Sequence, residues 1–299
     1  MTVLEELAPI AEATPAASVW KASLALGFER RGDASALVRN AHEGPLRVQR
    51  PFHPEGVGVS HVVVLHPPSG IAAGDALAVD IDVGAGAHAL LTTPGSTKWY
   101  RRAVRRAAGL GATQTVTVRV ADEAHVEWLP QSSIVHDDAD ASSTLSIDLA
   151  GSATVIGLDI VVLARRSSGE RFDHGRWRQA TALRRDGRLL WHDSADIEGG
   201  SRWLDSPVGL DGCHVVATLF ACAPRLEARL AALGHDDPLD GLRVAMPSAG
   251  TSLVTGELLL ARWLGRDPQT VWREAIAGWR VLRPSVNSRS AVEPRIWST

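Results

Sequence analysis

Leu77, Val79, Ile81 and Val83 alternate with polar or small residues, and the acids Asp80 and Asp82 fall between them. Successive side chains of an extended strand point to opposite faces, so this spacing calls for a strand with one dry and one wet face. The pattern returns where Val116, Val118 and Val120 alternate with Thr115, Thr117 and Arg119, and again where Leu145, Ile147 and Leu149 alternate with Ser146 and Asp148. Residues 61–65 and 160–163 are continuous apolar runs, better suited to strands covered on both faces. Turn chemistry separates these segments at Pro67-Pro68-Ser69-Gly70, Gly84-Ala85-Gly86, Pro94-Gly95, Asp186-Gly187 and Gly199-Gly200. From Trp20 to about residue 220 a largely β body is predicted.

The period then changes. Pro224 precedes Leu226, Leu230 and Leu233, and Gly234 closes the segment, which is the expected start and stop of a helix. A second helix is predicted where Thr251 or Ser252 would cap a segment carrying Leu253, Leu258, Leu259 and Trp263. A third opens at Asp267-Pro268 and places Val271, Trp272, Ala275, Ile276 and Trp279 on one stripe. Residues 1–18, rich in Ala, Pro and Glu without periodicity, read as a disordered lead-in. Residues 19–299 read as one domain, since no charge block or low-complexity tract marks a linker. No repeat of fixed period is visible.

Composition excludes several classes of function. The 31 Lys and Arg against 34 Asp and Glu leave a net charge of −3, so nucleic acid is not an expected partner. The densest basic cluster, Arg101, Arg102, Arg105 and Arg106, fits a phosphate or partner contact or a solvated face. Cys213 and Cys222 are too few for a disulfide scaffold and are expected to be free thiols in a reducing compartment. No basic-then-apolar leader and no apolar run of about 18 residues is present, so a soluble, cytoplasmic chain is expected.

The catalytic signatures are missing as well. A phosphate-cradling loop needs Gly-Lys-Ser/Thr, whereas Gly95-Ser96-Thr97-Lys98 has the wrong order. Gly84-Ala85-Gly86 reads as a hairpin turn and not as a dinucleotide site. Cys213 and Cys222 have no second pair with which to cage zinc, and no Gly-x-Ser-x-Gly elbow presents a nucleophile. His61 and His66 flank a strand on opposite faces. His136-Asp137-Asp138 is a dense donor cluster that fits either a divalent ion or a solvated turn, and a metal-dependent hydrolase on a β scaffold is the alternative it suggests.

Whole phrases of the chain resemble the UreD (UreH) family of urease accessory proteins. These are residues 44–52 (GPLRVQRPF) with 54–56 (PEG), 66–71 (HPPSGI) with 74–75 (GD), 87–101 (AHALLTTPGSTKWYR), 127–131 (EWLPQ), 168–172 (SGERF) and 294–299 (PRIWST), in family order. Ser69 and Ala73 stand where the family usually has glycine. Ser132 stands where it often has a glutamate, and His136 where it often has an apolar residue.

The resemblance implies a mainly β protein, an elongated superhelical arrangement of strands with a few helices in the C-terminal third. It implies a non-enzymatic role: binding apo-urease and, with UreF and the GTPase UreG, inserting nickel that UreE commonly supplies. Nickel would be cargo in transit, with no tightly bound cofactor, and an internal tunnel is associated with the family. By that carry-over Asp75 and Glu170 are the candidate nickel contacts, because scattered oxygen donors suit transfer better than a closed cage. Asp75 capping a turn and Glu170 pairing with Arg165 or Arg171 is the competing reading. Thr92, Thr93, Ser96, Thr97 and Lys98 are candidates to line a polar passage, or else to satisfy the tight turn at Pro94-Gly95. A pure scaffold without nickel contact is the remaining alternative.

Overall fold

The alternating segments do become strands. The computed structural model describes residues 20–102 and 111–298; the predicted lead-in, Arg105, Arg106 and Thr299 lie outside them. The chain opens with β1 (Lys21–Arg31), β2 (Ala34–Glu43) and the short β3 (Arg47–Val48). Next come β4 (Ser60–Leu65), β5 (Gly70–Ile71), β6 (Ala76–Val83), β7 (His88–Thr92), β8 (Thr97–Trp99) and β9 (Ala112–Val120). They are followed by β10 (His125–Leu129), β11 (Ser133–Val135), β12 (Asp140–Leu149), β13 (Thr154–Leu163), β14 (Arg176–Arg185), β15 (Arg188–Glu198) and β16 (Val215–Cys222). The C-terminal third holds α1 (Leu226–Ala231), α2 (Asp240–Ala245), β17 (Gly250–Thr255), β18 (Leu258–Gly265) and α3 (Pro268–Asn287).

Pairing shows the chain winding. β1, β6, β9, β12 and β14 pair parallel in one sheet, edged by the antiparallel β2 and β15. β4, β7, β10 and β13 pair parallel in a second sheet, which β16, β18 and β17 extend antiparallel. The short β5, β8 and β11 form a third parallel ladder that joins β13. Each turn of the superhelix thus lays one strand in each ladder. Its length varies, since His125 pairs with His88 on one side and with the nearer Thr154 on the other. That variation hides the repeat from the sequence.

Period-two parity builds three layers. In β13, Val155, Val161 and Leu163 join the core between the two sheets, whereas Ile156, Leu158, Ile160 and Val162 join a second core beneath the helices. The second sheet is therefore apolar on both faces, as its continuous runs required. α3 starts where Asp267 accepts hydrogen bonds from the Gln269 and Thr270 amides, and buries Val271, Ala275, Ile276 and Trp279 against this sheet. Trp279 is core, and Trp272 packs edge-on to Trp297, with ring centroids 5.3 Å apart.

Two expectations fail. The helix predicted from Thr251 or Ser252 is the hairpin of β17 and β18. Leu258 and Leu260 face one core while Leu259, Ala261 and Trp263 face the other, and a strand covered on both faces cannot be told from a helix by its apolar spacing. Gly84-Ala85-Gly86 is a turn between sheets, not a hairpin: β6 and β7 lie in different sheets, and Gly86 takes a positive φ of 67°. The short α2 was not foreseen.

A buried ionic network ties α3 to the coils. Glu127 accepts from His88 Nε2 at 2.7 Å, Trp279 Nε1 at 2.6 Å and Arg283 Nε at 3.0 Å, and Arg283 also donates to Glu55, which accepts from His61 Nε2 at 2.7 Å. Burial alone would raise the Glu127 carboxyl, but His88, Arg283 and Trp279 hold it below the usual range. His61 and His88 are both buried, each with its Nε2 on a carboxylate of this network.

Candidate functional site

The inward faces of the two sheets do not close completely. Between them lies a cavity of about 550 Å³. Its walls are apolar at Leu77, Val79, Val116, Trp128 and Leu145 and polar at His66, Gln114, Gln131, Ser133, Ser143, Thr144, Asp159, Gln179 and Thr181. The loop from Thr93 into β8 forms another wall, so Thr93, Ser96, Thr97 and Lys98 do line a polar space. Thr92 does not. Parity turns it to the helix side, where its hydroxyl donates to the Leu129 carbonyl at 2.6 Å and accepts from Trp297 Nε1 at 2.8 Å. The turn reading also holds in part, since Thr93 Oγ1 bonds Gly95 and the Gln131 amide, and Ser96 bonds Ser132.

Asp75 is buried in the turn before β6, where its Oδ2 accepts from the Ala72 amide at 2.8 Å. It stands close enough to His66 to act on its charge: burial pushes the imidazole below its usual value and the Asp75 carboxylate pulls it back. His66 lines the cavity and Asp75 does not. Glu170 lies elsewhere, in the loop after β13. It accepts from the Arg165 amide at 3.0 Å and from Arg165 Nε at 3.1 Å, with Arg101 at 3.7 Å. Burial would raise its carboxyl, and the Arg165 contacts more than offset that. The structure does not bring Asp75 and Glu170 into one site, and Arg165, not Arg171, is the partner of Glu170.

His136, Asp137 and Asp138 do three separate jobs. Asp137 accepts from the Asp173 and His174 amides at 2.8 Å each and so pins a loop. Asp138 pairs with Arg102, and His136 meets the Tyr100 ring edge-on. Among the described residues no three His, Cys, Asp or Glu side chains are placed to hold a metal ion together. Cys213 and Cys222 are free, and burial pushes the Cys222 thiol up to about 11. No helix of the described residues is long and apolar enough to cross a membrane.

The carboxylate that does line the cavity is Asp159. Burial pushes it up to about 6, against the lowering effect of a hydrogen bond from the Gln179 amide. The sequence did carry a signal for it: an aspartate within the apolar run of β13, on the parity that faces inward.

The family model described as UreD urease accessory protein matches residues 21–298. The chain belongs to the UreD family. It is 42% identical over 301 residues to a urease accessory protein UreD of Azoarcus sp. (strain BH72), covering all of both chains. It is 44% identical to that of Pseudomonas aeruginosa, over 94% of this chain and 95% of the relative, and 42% to that of Dechloromonas aromatica at the same coverage. The UreD family comprises accessory proteins, not enzymes, so the hydrolase alternative falls away.

Proposed function

We propose that this UreD-family chain binds apo-urease in the cytoplasm and, with UreF and the GTPase UreG, promotes nickel insertion into the urease active site. UreE would supply the metal indirectly, and neither nucleic acid nor membrane takes part. The observation that carries this reading is the polar-walled cavity inside the β superhelix of a urease accessory protein. A hydrated divalent ion needs room and exchangeable oxygen and nitrogen donors, and binding must stay weak enough for release. The hydroxyls of Thr93, Ser96 and Thr97, the His66 imidazole and Asp159 supply such donors.

The scaffold alternative has its own support, because Asp75 and Glu170 are already engaged within the chain; substituting those two carboxylates separates it from nickel contact. Co-expression of the tagged chain with the urease structural subunits and UreF tests the accessory role itself. A complex together with nickel-dependent urease activity, both absent in a deletion control, supports the reading; soluble chain with neither binding nor rescue sinks it.

A further inference from the structure

Burying an imidazole costs free energy unless its ring nitrogens find partners. His136 is 7% exposed, and its Nε2 is buried without a hydrogen-bond partner among the described residues. Ile134 pairs with Lys98, and the His136 amide donates to the Trp99 carbonyl, so β11 and β8 keep their register for one more residue. His136 and Lys98 are therefore diagonal neighbours on one face of the third ladder, within reach of a long side chain. Tyr100 stands beside them, its ring edge-on to His136 and packed so closely on Gly70 that a Cβ there would overlap it.

The surroundings of that nitrogen are cationic. Arg101 and Arg165 converge on one atom, Oε1 of Glu170, at 3.7 and 3.3 Å. Lys98, half-buried on the cavity wall, makes no hydrogen bond or ion pair with any described residue. Burial lowers the His136 imidazole below its usual value, the Arg165, Arg101 and Lys98 charges lower it further, and Glu170 opposes them. Lys98, Arg101 and Arg165 against Glu170 leave an excess of two positive charges at one place, in a chain whose net charge is −3. Like charges held together without enough counter-charge repel one another, and an anion bound among them relieves that cost.

We propose that Lys98, Arg101, Arg165 and His136 form a binding site for a small oxyanion, of which phosphate and bicarbonate are the tetrahedral and planar representatives. Each guanidinium offers a planar fork of donors that matches such an ion, and Lys98 offers a point charge. A neutral His136 with its proton on Nε2 supplies one more donor, and the ion gives that nitrogen the acceptor it lacks. The site runs from the surface, where the Arg101 side chain is 65% exposed, to the cavity wall at Lys98. That depth favours a free ion over a carboxylate carried on a partner protein, which would meet Arg101 and Arg165 but not Lys98. The site is independent of whether nickel passes through the cavity.

Isothermal titration of the full chain with phosphate and with bicarbonate, at constant ionic strength set by chloride, tests the site. Saturable binding of at least one of the two is expected, with a rise in melting temperature that chloride at the same ionic strength does not give. Arg101→Gln and Lys98→Met should each weaken the binding about tenfold or more, as the loss of one charge-assisted hydrogen bond does. His136→Phe keeps a ring against Tyr100 and should weaken it comparably. Arg119→Gln, which removes a cation paired with Asp80 and Asp82 on the first sheet, is the control and should bind as wild type does. The exposed Arg101 can be changed without disturbing the core, so its variant decides the matter where the others do not fold. No saturable binding of either ion, binding unchanged in Arg101→Gln, or a melting shift that chloride reproduces overturns the inference. Saturable uptake of acetate with neither phosphate nor bicarbonate also overturns it, and would assign the cluster to a partner's carboxylate.

Discussion

Arg283 places its Nε 3.0 and 3.1 Å from the two carboxylate oxygens of Glu127, and neither side chain is exposed to solvent. The pair joins α3 to β10 across the second core, and Glu55 and His61 continue it to the segment around β4. Such a network specifies one docking of the helix, because any other would leave charges buried without partners.

Glu127→Ala should therefore cost about 3–5 kcal/mol, the range for breaking a buried ion pair by removing one partner. His88 Nε2, Trp279 Nε1 and Arg283 Nε would all lose their acceptor. Urea unfolding of the isolated chain measures this. A loss below about 1 kcal/mol would mean that the network is hydrated and contributes little.

Glu55 makes the same network sensitive to acid. Burial would raise its carboxyl, but hydrogen bonds and charge from His61 and Arg283 bring it down to about 2. A folded value below the unfolded one, which is about 4.3, means that the ionised carboxylate stabilises the fold. That contribution is complete above the unfolded value and is lost as pH falls from about 5 through the folded value near 2. Glu55→Gln should be clearly less stable than wild type at pH 7, with the gap closing as pH drops toward about 3. A gap that stays constant with pH would show that the Glu55 charge is not the source.

Much of this architecture was legible because alternation is a local property. β6, β9 and β12 could be read from their own residues, and α3 from its cap and stripe. The hairpin of β17 and β18 could not, since Leu258, Leu259 and Leu260 are apolar for two different cores and only the tertiary layers tell them apart. The site divided in the same way. Thr93, Ser96, Thr97 and Lys98 are neighbours in sequence and reach one cavity together, whereas Thr92 is carried to the opposite face by a single step of parity. Asp159 escaped notice because its meaning depends on Gln179, which arrives from another sheet.

Gly157 tests the packing between the sheets. A Cβ there would stand 2.0 Å from Phe220 Cζ, in the ring that fills the space beside Trp191. Gly157→Ala should cost about 1–3 kcal/mol through overpacking, and Phe220→Leu introduced alongside should recover part of that loss. Strict additivity of the two changes in thermal or urea unfolding would refute the contact.

Asp75 and Glu170 now make unequal predictions. The Asp75 charge acts on His66, which lines the cavity, while Glu170 is clamped by Arg165 and does not line it. Asp75→Asn keeps an oxygen able to accept from the Ala72 amide, so the turn and the urease complex should survive while the charge that acts on the cavity-lining His66 is lost. Nickel-dependent activation should then fall about tenfold. Glu170→Gln should loosen its loop, detectable as faster amide exchange in residues 165–172, yet lower activation less than Asp75→Asn, because a partly exposed ion pair contributes only about 0–1 kcal/mol. The reverse order of effects, with Glu170→Gln the more damaging at unchanged complex formation, would move the ion's route out of the cavity and to the face beside His136.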